Sequence, residues 1–594
     1  MSLDKFVTLV DLFEQSVAQH RDRPLFGVKK AEHYVWLSYG EVGAMVDKMR
    51  GALAKLGVGA GDSIGIIANN RPEWAIAAYA ACGRGAAFVP MYEAQLASDW
   101  SYIANDAELK LLFVANQAIY EKTRQFIDEI PSLQAIVVMD PGGHREHDFS
   151  KLLELGAQNP VDAVHPSVED LACILYTSGT TGLPKGVLLR HSNIVSNVNG
   201  VHDSFPIVKE DVTLSFLPWA HIFGQTAELH TMISFGAAMG LAESPQTIIQ
   251  NLAEVRPTIL ISVPRIFNRI YDGIHRKVSA EKAFKRKMFE KALSVANRKR
   301  ELEEARQSST LVGLQHSILD KLVFAKIRQR FGGRLRWAIS GGAALSKEVA
   351  EFIDSLGIMV YEGYGLTETS PVVACNVPGS RKLGSIGKTF PGVRVVIRPD
   401  DMAPEGQGEL IVYGPNVMKG YHKLPEENAR VFTEDGGFCT GDMGRIDDDG
   451  FLWITGRIKE QYKLENGKYV VPAPLEEKLK LSPYIANIMI EGTNRPFNVA
   501  VVVPDFEVLE GFAKEHGLEP AHQALLSSPK VMDLFIQEIQ RLGVDFKGYE
   551  QPKKLLLIEE DFTFENDMLT PSLKLKRRNV LARYGSQLEA LFEE

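Results

Sequence analysis

Six of the seven residues after Tyr176 are Thr, Ser or Gly, and the run closes on a cation: Thr177-Ser178-Gly179-Thr180-Thr181-Gly182-Leu183-Pro184-Lys185-Gly186. Cys173, Ile174 and Leu175 before it read as the end of a buried strand. Such a loop suits an anion. Glycines let backbone N–H groups approach a phosphate, hydroxyls add donors, and Lys185 brings a positive charge to the far end. An ordinary Ser/Thr/Gly turn would have no need of a lysine at Gly-x-x-Gly-x-x-Lys spacing behind a stiffening Pro184. It is not a Walker loop, which requires Gly-x-x-x-x-Gly-Lys-Ser/Thr, whereas here Lys185 follows a proline.

Two further stretches leave strands for loops, where open α/β sheets bind ligands. Residues 335–339 run into Ser340-Gly341-Gly342-Ala343-Ala344, and residues 359–361 into Glu362-Gly363-Tyr364-Gly365-Leu366-Thr367-Glu368-Thr369. Gly341 and Gly342 would admit a flat ring against the backbone, and Tyr364 offers an aromatic face for stacking. Thr367 brings a hydroxyl for a phosphate oxygen, and Glu368 the hard oxygen that Mg²⁺ prefers. Asp442 is a natural bidentate acceptor for two vicinal hydroxyls, and Arg457 would reinforce it. The basic cluster Lys574-Leu575-Lys576-Arg577-Arg578 reads, taken alone, as a solvated feature near a C-terminus.

Other stretches imitate chemistry. Gly57-Val58-Gly59-Ala60-Gly61 follows a helix and leads into a strand, the reverse of the dinucleotide-binding order. Gly384-Ser385-Ile386-Gly387-Lys388-Thr389 ends like a Walker loop, but Lys382 stands where its first glycine belongs. His144-Arg145-Glu146-His147-Asp148 lies in a Gly/Asp-rich connection with no ligand-competent partner in view and reads as solvated.

Together the motifs at 176–187, 340–344 and 362–369 resemble the adenylate-forming superfamily of acyl-CoA synthetases, luciferases and peptide-synthetase adenylation domains. Residues 463–476 (Lys463-Leu464-Glu465-Asn466-Gly467-Lys468-Tyr469-Val470-Val471-Pro472-Ala473-Pro474-Leu475-Glu476) and Val263-Pro264-Arg265-Ile266-Phe267 are similar to the bacterial long-chain fatty acyl-CoA synthetases. The resemblance implies that Thr177, Ser178, Gly179, Thr180, Thr181, Gly182, Gly341, Gly342, Ala343, Glu362, Gly363, Tyr364, Gly365, Thr367, Asp442 and Arg457 bind ATP. It implies that Glu368 holds Mg²⁺ and that Lys185, Thr367 and Lys574 are catalytic. In Lys574 the chain departs from the pattern, because Leu573 replaces the usual preceding glycine; Lys576 is a competing assignment. Lys459 becomes the hinge to a small C-terminal domain. His221 and Trp219, which as a lone histidine among aromatics read as packing, become acyl-site candidates.

The elements that must hold these groups alternate. Helical periodicity at 9–17 and 39–56, a strand at 63–68, a helix at 72–84, a strand at 86–90, a helix from Leu96, a strand at 109–114, a helix at 117–129 and a strand at 135–139 predict crossover units on a mostly parallel sheet. A buried strand is expected at 214–218, and others at 451–454, 488–491 and 499–503. The expected fold is α/β: a large N-terminal domain of several subdomains, residues 1–456, and a small α+β C-terminal domain, residues 457–594.

At 594 residues the chain exceeds one core. A net charge of -9 argues against nucleic acid as a partner. The four cysteines, Cys82, Cys173, Cys375 and Cys439, form no C-x-x-C pair, which fits a reducing cytoplasm. Residues 1–19 lack the apolar run of a signal peptide, and no stretch reaches the length of a membrane span. Residues 276–300 carry ten Lys/Arg against two Glu. That run reads as a solvated face or, alternatively, as contact with an anionic membrane at the inner face.

The expected activity is a two-step ligation: a fatty carboxylate and Mg·ATP give acyl-AMP and pyrophosphate, then coenzyme A takes the acyl group. A fatty acyl-AMP ligase or acyl-carrier-protein synthetase would share every motif above, and a non-catalytic acyl-binding protein is the remote rival. Expected partners are fatty acid, ATP and coenzyme A, with the membrane and a homodimer as further candidates.

Overall fold

The computed structural model describes residues 6–140, 148–177, 183–305, 307–399, 405–563, 565–570 and 574–593. The chain forms two compact units. One comprises Met1–Phe267, Gly273–Val396 and Ile411–Cys439; the other Asn268–Asp272, Ile397–Leu410 and Thr440–Glu594.

The first unit is built on three sheets. In the largest, the order is Gly420–Tyr421, Lys185–Arg190, Leu171–Thr177, Ala87–Met91, Ser63–Ile67, Leu109–Asn116, Ala135–Asp140. From Leu171–Thr177 onward the neighbours are parallel, as helical crossovers require. The crossover helices are legible in residue type. Ser38 caps Tyr39–Lys55 through a reciprocal pair with Glu41. Pro72 opens Pro72–Cys82, whose residues are all buried except Glu73, because this helix is covered on every side. Lys185–Arg190 and Gly420–Tyr421 extend the sheet with antiparallel pairing.

A second sheet runs Ile259–Ser262, Trp337–Ser340, Met359–Gly365, Val372–Cys375, Lys388–Thr389; its first three strands are parallel and its last two antiparallel. The third places Pro24–Lys30 between His33–Ser38 and Ala238–Leu241, with Val212–Ser215 at the edge.

Three expectations are corrected. The helix expected over 117–129 is two pieces, Gln117–Thr123 and Phe126–Glu129. The strand at 214–218 is Val212–Ser215, ending where Leu217 O accepts from Asn70 Nδ2 rather than from a neighbouring strand. The strand beginning at Met359 does not open into a loop at Glu362 but continues to Gly365, because Val372–Cys375 turns back and supplies partners. Residues 223–230 form a π-helix, which a 3.6-residue period cannot signal.

In the second unit, Asn498–Pro504 is flanked by Ile485–Glu491 antiparallel and Pro552–Leu557 parallel. Val580, Tyr584 and Leu588 of the helix Arg577–Glu593 pack on Met489, Val499, Val501 and Val503. A hairpin of Phe438–Ile446 with Leu452–Arg457 precedes this domain-like core.

Candidate active site

Thr177 ends one strand of the large sheet and Lys185 begins the next; the two are paired across the antiparallel register. Ser178, Gly179, Thr180, Thr181 and Gly182 lie outside the described residues. Lys185 is half-buried, its ammonium 2.8 Å from Glu427 Oε2 and 5.4 Å from the centre of the Tyr421 ring.

Tyr421 reaches this place because Gly420–Tyr421 pairs with Lys185–Arg190, with Tyr421 opposite Val187. Its hydroxyl donates to Glu368 Oε1 at 2.8 Å. Burial and the Glu368 carboxylate hold the phenol far above its usual range, so it remains a donor. Cation, aromatic ring and carboxylate are thus brought together from sequence positions 185, 421 and 368. Neither Tyr421 nor Glu427 was legible beforehand: Glu427 lies 242 residues from Lys185 and belongs to no local spacing.

Thr367 and Glu368 sit on a single 3₁₀ turn, Thr367–Thr369. Buried Thr369 locks it, its hydroxyl 2.6 Å from Pro371 O, and Met418 N–H donates to Glu368 O at 2.8 Å. Glu362, Gly363, Tyr364 and Gly365 occupy the strand before the turn. Gly365 must be glycine, because a Cβ there would stand 1.8 Å from Pro371 O. Burial pushes the Glu362 carboxyl up to about 7. Its Oε1 accepts from Leu345 N–H at 3.0 Å, tying this strand to the loop of Gly341, Gly342 and Ala343. Gly342 there has φ +83°, the left-handed region that favours glycine. The Phe223 ring backs Gly341 closely enough that a Cβ would meet it at 2.9 Å.

Trp219 is fully buried, its ring centre 5.6 Å from those of Trp74 and Phe26. His221 is half-buried; its N–H donates to Pro218 O and its Nδ1 accepts from Phe223 N–H at 3.2 Å. Sequence reading missed Glu228, fully buried on the π-helix. Its Oε2 accepts from Ser215 Oγ at 2.5 Å, Ser215 Oγ accepts from Asn70 Nδ2 at 3.1 Å, and Asn70 Oδ1 accepts from Trp219 N–H at 2.8 Å. A buried carboxyl therefore pins the Trp219 turn.

In the second unit Asp442 is buried and opposite Arg457 in the hairpin register, with Arg457 Nε 3.0 Å from Asp442 Oδ1. Lys459 follows on the 3₁₀ turn Ile458–Glu460. Lys574 is exposed on the segment before the last helix, its backbone exchanging hydrogen bonds with Thr570. Lys576 is ion-paired to Asp567, and Arg577 to buried Glu476 while also donating to Ile490 O at 3.0 Å. Among the described residues no group of three His, Cys, Asp or Glu gathers as a metal cluster. Asp148 caps the helix Phe149–Gln158; His144–His147 lie outside the described residues.

The sequence matches the AMP-binding enzyme family over residues 13–422 and the AMP-binding enzyme C-terminal domain over 459–541. It is 33% identical over 620 residues to a protein named long chain acyl-CoA synthetase 7, peroxisomal, of Arabidopsis thaliana, covering 99% of this chain and 86% of that one. It is also 33% identical over 621 residues to long-chain-fatty-acid–CoA ligase 1 of Homo sapiens, covering 99% and 87%. The fold aligns with the adenylation domain of a carboxylate reductase from Mycobacterium chelonae at a TM-score of 0.78 and 25% identity, over 99% of this chain and 91% of that one.

Proposed function

The chain belongs to the AMP-binding enzyme family and is an ATP-dependent long-chain fatty acid–CoA ligase, and from that premise we propose how its residues divide the two half-reactions. In the first, a carboxylate oxygen of the fatty acid attacks the α-phosphorus of ATP, the bond to the β-phosphate oxygen breaks, and pyrophosphate leaves. In the second, the coenzyme A thiolate attacks the acyl carbon and expels AMP. The fatty acid is ionised at neutral pH, so positioning and charge neutralisation carry the first step without a general base.

The observation that supports this division is the meeting of Lys185, Tyr421 and Glu368. Lys185 would bind the departing phosphates after exchanging its Glu427 partner for them. Thr367 contacts the α-phosphate, Tyr364 and the loop of Gly341, Gly342 and Ala343 receive the adenine, and Asp442 with Arg457 takes the ribose. Mg²⁺ fits Glu368, a hard oxygen donor oriented by Tyr421, and when bound it neutralises triphosphate charge. Lys574 stabilises charge between carboxylate and α-phosphate. We place the domain boundary at 456/457 and the hinge at Lys459, next to the start of the C-terminal-domain match. Rotation there would withdraw Lys574 after adenylation. His221 and Trp219 are proposed to border the acyl group, and the enzyme to work in the cytoplasm in peripheral contact with an anionic membrane.

Incubation with palmitate, ATP, Mg²⁺ and coenzyme A, scoring palmitoyl-CoA and palmitoyl-AMP separately, tests the reading. Palmitoyl-CoA with AMP is expected; palmitoyl-AMP persisting beside coenzyme A would overturn the assignment of the second half-reaction.

A further inference from the structure

Residues 310–328 form one helical rod, Thr310–Leu319, the π-turn Asp320–Phe324 and Ala325–Arg328. Its outer face is apolar. Leu311, Leu314, Ile318 and Leu322 recur at helical spacing and are 66%, 62%, 52% and 49% exposed. No residue of Thr310–Leu319 is buried, so this unit supplies no cover for that face. On the neighbouring helix Ala283–Glu304, Phe284 is 76% exposed. A contiguous exposed apolar face of this kind marks a docking surface.

Beside the stripe lies a depression of about 630 Å³ lined by basic side chains. Two of its arginines are already engaged: Arg328 by Asp320 at 2.6 Å and Arg336 by Asp211 at 2.6 Å. Among the described residues Lys321 and Arg334 form no ion pair, and both are exposed. The face therefore joins an apolar stripe to uncompensated positive charge. An anionic bilayer satisfies both features at once.

We propose that the outer face of the rod 310–328 docks on an anionic membrane, with Leu311, Leu314, Ile318 and Leu322 entering the headgroup–acyl boundary and a lipid phosphate seated between Lys321 and Arg334. The inference rests on the reading that this ligase contacts a membrane, and it moves the contact from the basic run 276–300 to a defined face.

The test is sedimentation of the full chain with phosphatidylcholine vesicles, with and without phosphatidylglycerol. Wild type is expected to bind the phosphatidylglycerol vesicles, less so at high salt. The pair Leu314→Glu and Ile318→Glu should reduce partitioning about tenfold or more while leaving turnover of a dissolved medium-chain acid unchanged. The pair Lys321→Glu and Arg334→Glu should remove the preference for the anionic lipid. If both pairs bind like wild type while Lys285→Glu with Lys287→Glu abolishes binding, this face is wrong and the membrane reading survives. If wild type ignores phosphatidylglycerol, both fail. A wild-type dimer that the Leu314→Glu, Ile318→Glu chain loses, without vesicle binding, would make the face an interface between copies and overturn the proposal.

Discussion

The ammonium of Lys185 lies 2.8 Å from the carboxylate of Glu427, so the cation proposed to bind the departing phosphates is already paired within the fold. A triphosphate must compete with that carboxylate. Glu427→Gln removes the competitor and keeps the shape. Because the pair is partly exposed, it is worth at most about 1 kcal/mol, which corresponds to an ATP KM lowered by roughly two- to fivefold. Lys185→Met should raise the same KM by more than about tenfold. ATP–pyrophosphate exchange measures both, and an unchanged KM in Glu427→Gln would show that the pair does not stand in the nucleotide's way.

Tyr421 orients Glu368 through a 2.8 Å hydrogen bond. Tyr421→Phe keeps the ring beneath Lys185 and deletes only the donor. Loss of about 1 kcal/mol of carboxylate alignment predicts a Mg²⁺ requirement for adenylation raised roughly fivefold, and Glu368→Gln a larger rise. A Mg²⁺ titration at saturating ATP gives the answer; identical curves for Tyr421→Phe and wild type would separate Tyr421 from the metal.

Lys574 and Lys576 make opposite predictions. Lys574→Ala should slow adenylation about a hundredfold or more and spare thioester formation from supplied palmitoyl-AMP. Lys576→Ala should leave both steps near wild type, since the proposed division gives it no part in either. Equal loss of both half-reactions in Lys574→Ala would remove that residue from the first step.

Glu228 ties stability to pH. Burial pushes its carboxyl from the ordinary 4.5 up to about 8, against the opposing hydrogen bond from Ser215. The folded chain then holds a proton that the unfolded chain has lost. Stability from this group is complete below the unfolded value and declines as pH rises towards 8, by up to about a few kcal/mol. Glu228→Gln keeps the acceptor for Ser215 and cannot ionise. Its melting temperature should fall less than that of wild type between pH 6 and pH 9, taken as about the limits of that window. Parallel profiles would mean that Glu228 is not protonated in the fold.

Much of the fold was readable because crossover units announce themselves locally: helical and strand periods alternate from 39 to 139, and each strand of the large sheet's parallel core stands close to its expected place. What escaped was non-local. The continuation of Met359 to Gly365 depends on a returning strand at Val372–Cys375, and no property of 362–365 alone requires that partner. The π-helix Phe223–His230 differs from an α-helix in pitch rather than in pattern.

The sequence by itself determined the chemistry on offer: a Gly/Ser/Thr loop closed by Lys185, a Thr367-Glu368 pair, Asp442 with Arg457, and a basic segment at 574–578. Those depend on residue type and short spacing, which local order preserves. Only the tertiary structure decided which groups meet. Sheet register brought Tyr421 to Lys185, the helix Pro425–Val431 that follows brought Glu427, and burial turned Glu228 from an ordinary carboxylate into a proton-holding acid. Pairing across hundreds of residues, and the solvent each side chain loses, are properties of the packed chain and of no window along it.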